Sequence, residues 1–311
     1  MYAGMTATTL ASLLRETNSG PLGGGGGDPK YNVWPIVPPM AAPVERYDGY
    51  LIDLDGVLWA GSKTFPEAVR AVNRLRSMGK SVVFLTNNST RSRSQYVERL
   101  RSIGVGWVEE GHVVNSGYAT SKYLAERFGG LHVFPVGDTG LHVELVLQGH
   151  ALVSQADCWT GRVDAVVVGM DPGITYWKIG AAAAAIRRGA MFVATNPDKT
   201  FPTERGLMPG AGTILAALEA SSGRGPEINI GKPHRPIFEV ALEALSVERE
   251  KVLVVGDRLD TDVVGANALG LDSALVLTGV ATEEDLKGAR ERPTYVLRTL
   301  EDLFASGPRE K

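Results

Sequence analysis

The chain has 311 residues, with 44% apolar and 22% charged side chains, which is ordinary globular usage and excludes disordered or collagen-like composition. A net charge of −3, from 32 basic and 35 acidic residues, gives no bulk attraction to nucleic acid. A single cysteine, Cys158, excludes an internal disulfide and any multi-cysteine metal site. No apolar run approaches the ~18 residues of a membrane helix, and no basic-then-apolar leader is visible, so the expectation is a soluble, cytoplasmic protein without a membrane partner.

In chain order, residues 1–46 stand apart. Gly23 to Gly27 is a run of glycines, and Pro35, Pro38, Pro39 and Pro43 follow. Ordering such a segment costs much entropy and buries little, so it reads as a flexible extension. From Tyr47 short apolar runs alternate with helical patterns. The runs are Tyr50 to Ile52, Ser81 to Leu85, Val163 to Val168, Met191 to Val193, Val252 to Val255 and Ala274 to Leu277. Several are apolar throughout, as strands buried on both faces of a parallel sheet must be. Helices are predicted over Pro66 to Met78, with Val69, Val72, Leu75 and Met78 inward, over Trp177 to Arg188, over Arg235 to Leu245 and over Thr261 to Leu269. Alternating strand and helix predicts an α/β fold with a parallel sheet.

Ligands of open parallel sheets gather at the carboxyl ends of the strands, so polar residues just after each apolar run are the candidates. Asp53 and Asp55 close the first run. Two residues apart on a strand, they can face one point, where a hard cation such as Mg²⁺ would relieve their repulsion. An ordinary Asp-Gly turn fits the same letters. Thr86-Asn87-Asn88-Ser89-Thr90 ends the second run. Its hydroxyls and amides suit a phosphate, and equally an N-cap for the next helix. Gly231-Lys232-Pro233 offers a fixed positive charge or a surface lysine. Gly256-Asp257 follows the run at Val252, with Asp260 and Asp262 close behind. Asp257 stands where a second strand would supply a metal ligand, whereas Asp262 is explained as well by the start of a helix.

The order D-x-D-G-V, T-N-N, G-K-P, G-D-x-x-x-T-D, each after a predicted strand, resembles the haloacid dehalogenase superfamily over about Tyr47 to Gly279. Thirty-one residues separate Asp55 from Thr86, but 145 separate Asn87 from Lys232, so a large insertion falls in the second interval. With G-L-M-P-G-A-G-T after Asp198, this spacing resembles the phosphoglycolate and p-nitrophenyl phosphate phosphatase branch. The resemblance implies a doubly wound, Rossmann-like core over 47–127 and 227–311, with a smaller α/β cap inserted at 128–226. It implies Asp53 as nucleophile, Asp55 as acid/base, and Mg²⁺ held by Asp53, the Asp55 carbonyl and Asp257. Thr86, Asn87, Asn88 and Lys232 would surround the phosphoryl group, supported by Gly256 and Asp262. Asn196, Asp198 and Phe201 are candidate contacts to the leaving group from the cap.

The implied partner is a small phosphate ester such as phosphoglycolate, glycerol phosphate or p-nitrophenyl phosphate, with a homodimer through the cap as a further expectation. A nucleoside monophosphate or pyridoxal phosphate phosphatase is the nearest alternative. A non-catalytic phosphate-binding regulator is the alternative of another class, and it would need neither Asp55 nor a cap.

Overall fold

A computed structural model describes residues 42–203 and 206–305. The expected extension lies outside the described residues as far as position 41. Its last part differs from expectation: Pro43–Arg46 is a short helix, with Ala42 and Val44 buried in the core, so packed chain begins before Tyr47.

The strands, in chain order, are β1 (Gly49–Ile52), β2 (Trp59–Ala60), β3 (Lys63–Thr64), β4 (Ser81–Thr86), β5 (Val113–Asn115), β6 (His132–Val136), β7 (Ala151–Leu152), β8 (Ala165–Val168), β9 (Met191–Ala194), β10 (Thr200–Thr203), β11 (Gly206–Pro209), β12 (Ile228–Asn229), β13 (Val252–Gly256), β14 (Asp272–Val276) and β15 (Tyr295–Leu297). The main sheet has the order β15-β14-β13-β1-β4-β5 and every pairing in it is parallel. Residues two apart fall on one face. Tyr50, Ile52, Val82, Phe84, Leu253 and Val255 share a core with Ala68, Ala71, Val72 and Leu75 of the helix Pro66–Ser77, and with Tyr96, Val97 and Leu100 of Arg93–Ser102. On β1, β4 and β5 packs the helix Arg235–Leu245. Alternate residues of the strands are buried too, as a doubly wound α/β core requires.

A second parallel sheet, β12-β9-β8-β6-β7, is built from the chain between β5 and the helix Arg235–Leu245. Its core joins Val166, Val168, Phe192 and Ala194 to the alanine-rich helix Tyr176–Arg187 and to Ala211–Ser222. Small side chains on that helix let it approach the strands closely. β12 pairs with β9, so the insertion's sheet reaches Asn229, three residues past the expected boundary at 226.

Two helical details depart from the sequence reading. The buried face of Pro66–Ser77 runs through Ala68, Ala71, Val72 and Leu75, while Met78 is 47% exposed, because it is the C-cap residue, past the last helical turn that presents this face. The helix expected from Thr261 begins as a wide π-turn over Leu259–Val263 and becomes α-helical only at Val264–Ala268. Within that turn the Asp262 carboxylate accepts from the Arg258 backbone N–H.

Candidate active site

β13, β1 and β4 are parallel neighbours, so their carboxyl ends open at one edge. Asp53 leaves β1, Thr86 ends β4, and Asp257 follows Gly256 at the end of β13. Above them lies a cavity of about 490 Å³. Asp53, Asp55, Thr86, Asn87, Asn88, Lys232 and Asp257 line it from below, and Asn196 and Phe201 from the insertion. Gly256 and Asp262 stand behind the wall.

Lys232 is 2% exposed, and its ammonium satisfies itself on three oxygens: Asp262 Oδ1 at 2.6 Å, Asp53 Oδ1 at 3.0 Å and the Leu85 carbonyl at 3.2 Å. Burial alone would lower its pKa, but Asp262 and Asp53 outweigh burial and hold it above the ordinary lysine range. A surface-lysine reading of Gly231-Lys232-Pro233 is thereby excluded. Asn87 fixes this loop, accepting from the Lys232 N–H at 2.7 Å and donating to the Lys232 carbonyl at 2.9 Å.

Asp53, Asp257 and Asp262 each offer an oxygen, all within 4.8 Å of one another. With all three carboxylates ionised and Lys232 charged, the cluster would carry two net negative charges. Burial pushes the Asp53 carboxyl well up, against Lys232, and pushes Asp257 up to about 7, with Asp262 adding to the rise. Asp257 Oδ2 accepts from the Val280 N–H at 2.7 Å, whereas its Oδ1 is buried with no hydrogen-bond partner among the described residues. A buried orphan oxygen beside a second carboxylate fits a hard divalent cation, whose two charges match the cluster's deficit. Asp262 is less suited to ligation, because one oxygen is taken by Lys232 and the other by Arg258 N–H.

Glycines make room for this arrangement. A Cβ on Gly279 would lie 1.9 Å from Asp257 Oδ2, and one on Gly256 would lie 2.1 Å from Asp262 Cγ. Gly56, at φ +86, likewise leaves the space Asp257 occupies.

Thr86 to Thr90 is not the helix cap. Ser92 caps Arg93–Ser102 in a reciprocal pair with Gln95, which frees the earlier residues for the cavity. Thr86 Oγ1 accepts from the Asn88 N–H at 3.1 Å, while Asn88 Oδ1 turns back to Thr90. The Asn196 amide is likewise spent inside the protein, donating to the Asn87 carbonyl at 2.8 Å. Asp198 accepts from Asn87 Nδ2 at 3.1–3.2 Å, and burial raises its pKa against the opposing charge of Arg258.

Sequence reasoning passed over Trp59, whose indole reaches Asp55, and over Gly279, Arg258, Met170 and Leu207, which also line the cavity. A search for strand-end polar groups cannot register a glycine kept clear for a neighbour or an indole four residues downstream.

A family model described as haloacid dehalogenase-like hydrolase matches residues 50–151, and a HAD-hydrolase-like model matches 229–303. An acid sugar phosphatase of Staphylococcus aureus is 38% identical over 262 residues, covering 84% of this chain and 98% of that protein. Among solved structures, a p-nitrophenyl phosphatase from Archaeoglobus fulgidus aligns with TM-score 0.77 at 39% identity, covering 83% of this chain and 98% of its own. A glycerol phosphate phosphatase from Mycobacterium tuberculosis, in complex with magnesium, aligns with TM-score 0.78 at 37% identity, covering 86% and 79% respectively.

Proposed function

The chain belongs to the haloacid dehalogenase-like hydrolases, and from that membership we propose a magnesium-dependent phosphatase that hydrolyses small phosphate monoesters through an aspartyl-phosphate on Asp53. The observation that carries this reading is the Asp53–Lys232–Asp262 ion cluster beside the orphan oxygen of Asp257.

Asp53 is the nucleophile: its free oxygen attacks phosphorus as the bond to the leaving alcohol breaks. Asp55 supplies the proton to the departing oxygen, then takes one from the water that cleaves the acyl phosphate. Asp53, the Asp55 backbone carbonyl and Asp257 would hold Mg²⁺, which when bound neutralises charge on the phosphoryl oxygens and keeps both carboxylates ionised. Lys232 adds a fixed positive charge beside Asp53, and the Thr86 hydroxyl and the Asn87–Asn88 segment line the cavity where phosphoryl oxygens would sit. Asp262 holds the Lys232 ammonium in place. Residues 128–226, extended to β12, act as a cap whose Phe201, Leu207 and Met170 bound the leaving-group side of the cavity and exclude water.

Sugar phosphate, glycerol phosphate and p-nitrophenyl phosphate, the chemistries of the relatives, are the substrate class. The test is phosphate release across a panel of such esters, with Mg²⁺ and with excess chelator. Turnover with Mg²⁺ and none with chelator is expected, with Asp257→Asn raising the Mg²⁺ requirement. Full turnover in chelator would end the reading.

We further infer a homodimer through the cap. Trp177 is 71% exposed and Trp159 49%. The Trp159 ring stands 3.9 Å from where a Cβ on Gly180 would be, three residues beyond Trp177 on the same helix, so the two indoles share one apolar face.

A further inference from the structure

Asp55 lies beyond the paired residues of β1, so the sheet register does not fix its carboxyl group. A buried side chain does. Trp59 is fully enclosed, and its Nε1 donates to Asp55 Oδ1 at 2.8 Å. The indole is itself held from three directions. Its backbone carbonyl accepts from the Gly56 N–H at 2.7 Å, and β2 pairs with β3. The Arg99 guanidinium lies 3.8 Å from the ring centroid, and the same guanidinium donates to the Gly61 carbonyl at 2.6 Å, clamping the hairpin that carries Trp59.

We propose that Trp59 is a positioning residue for Asp55, holding Oδ1 so that Oδ2 is the oxygen turned to the leaving group. The proposal rests on the reading of Asp55 as the acid of the first step. An indole N–H donates and cannot accept, so it does not take the proton, and the unprotonated carbonyl oxygen of the carboxyl group is the better acceptor for it. The bond to Oδ1 thus favours the carboxyl proton on Oδ2. In the first step the Asp53–phosphorus bond forms, the phosphorus–oxygen ester bond breaks with its electron pair on the leaving oxygen, and the Oδ2 proton passes to that oxygen. A carboxyl group free to rotate would spend part of its time with the proton directed away from the ester.

The test compares wild type, Trp59→Phe and Trp59→3-benzothienylalanine, the last replacing N–H by sulfur with the ring shape kept. Each is assayed with Mg²⁺ for kcat/KM on glycerol phosphate, whose alkoxide needs the proton, and on p-nitrophenyl phosphate, whose phenolate scarcely does. General acid catalysis contributes on the order of 100-fold or more, so losing its orientation should cost the alkyl ester about tenfold more than the aryl ester. Equal losses on both esters would overturn the proposal and leave Trp59 a packing residue. Asp55→Asn run alongside separates the two layers. If it shows the selective alkyl loss and the Trp59 variants do not, only the role of Trp59 falls. If it shows no selective loss, the acid reading of Asp55 falls, and the proposal with it.

Discussion

Replacing Lys232 by methionine removes the charge and keeps most of the volume. The side chain is 2% exposed, so water does not take the place of the lost ammonium. Asp53 and Asp262, 7% and 1% exposed, would each lose an ion-pair oxygen contact, at 3.0 and 2.6 Å. Removing one member of a buried ion pair costs about 3–5 kcal/mol, since the partner's charge is left uncompensated. At roughly 2–4 °C per kcal/mol for a chain of this size, the metal-free variant should melt about 6–20 °C below wild type at pH 7.5. Differential scanning calorimetry in chelator reads this directly. Asp53 already has its pKa pushed up by burial, so acidification should let a proton replace the ammonium and narrow the deficit. A drop of less than about 3 °C, or one unchanged at pH 5, would refute the view that Lys232 balances these carboxylates.

Gly279→Ala places a methyl 1.9 Å from Asp257 Oδ2, so Asp257 must move; Mg²⁺ titration of activity should show at least about tenfold weaker metal affinity, although no ligand has changed. In metal-free protein Asp257 has its pKa raised to about 7, so between the ordinary carboxylate range and pH 7 the folded state binds more protons than the unfolded. Stability should accordingly fall as pH rises through that window, and Mg²⁺ should restore it at the upper end. A chelated protein that melts higher at pH 7.5 than at pH 5 would contradict this. If the cap dimer proposed above forms, wild type should scatter as a dimer and Trp177→Glu as a monomer, since a charge would be buried at the shared face.

Asp53, Asp55, Thr86 and Asp257 meet at one cavity because the main parallel sheet delivers the carboxyl ends of β1, β4 and β13 to one edge, whereas Lys232 follows β12 of the second sheet and reaches the same cavity through its bonds to Asp53, Asp262 and Asn87. The strands β1, β4 and β13 were visible in the sequence as runs apolar on both faces. What the letters do not carry is mutual approach. The Trp59–Asp55 bond depends on a hairpin of two-residue strands, too short to leave a periodicity. Asn196 lines the cavity while its amide donates to the Asn87 carbonyl across 109 positions, a contact created by packing of the insertion on the core that no local pattern carries. The π-turn at Leu259–Val263 holds the Asp262 carboxylate between Lys232 and the Arg258 N–H, a tertiary contact that helix propensity does not carry.

The proposed mechanism turns on a covalent phosphoryl group on Asp53. Rapid quenching of the Asp55→Asn variant with p-nitrophenyl phosphate and Mg²⁺, followed by peptide mass spectrometry, measures it. The expected product is a base-labile, hydroxylamine-sensitive acyl phosphate on the peptide holding Asp53, absent from Asp53→Asn. Phosphate found instead on a histidine or on a serine, or the same label in Asp53→Asn, would contradict it.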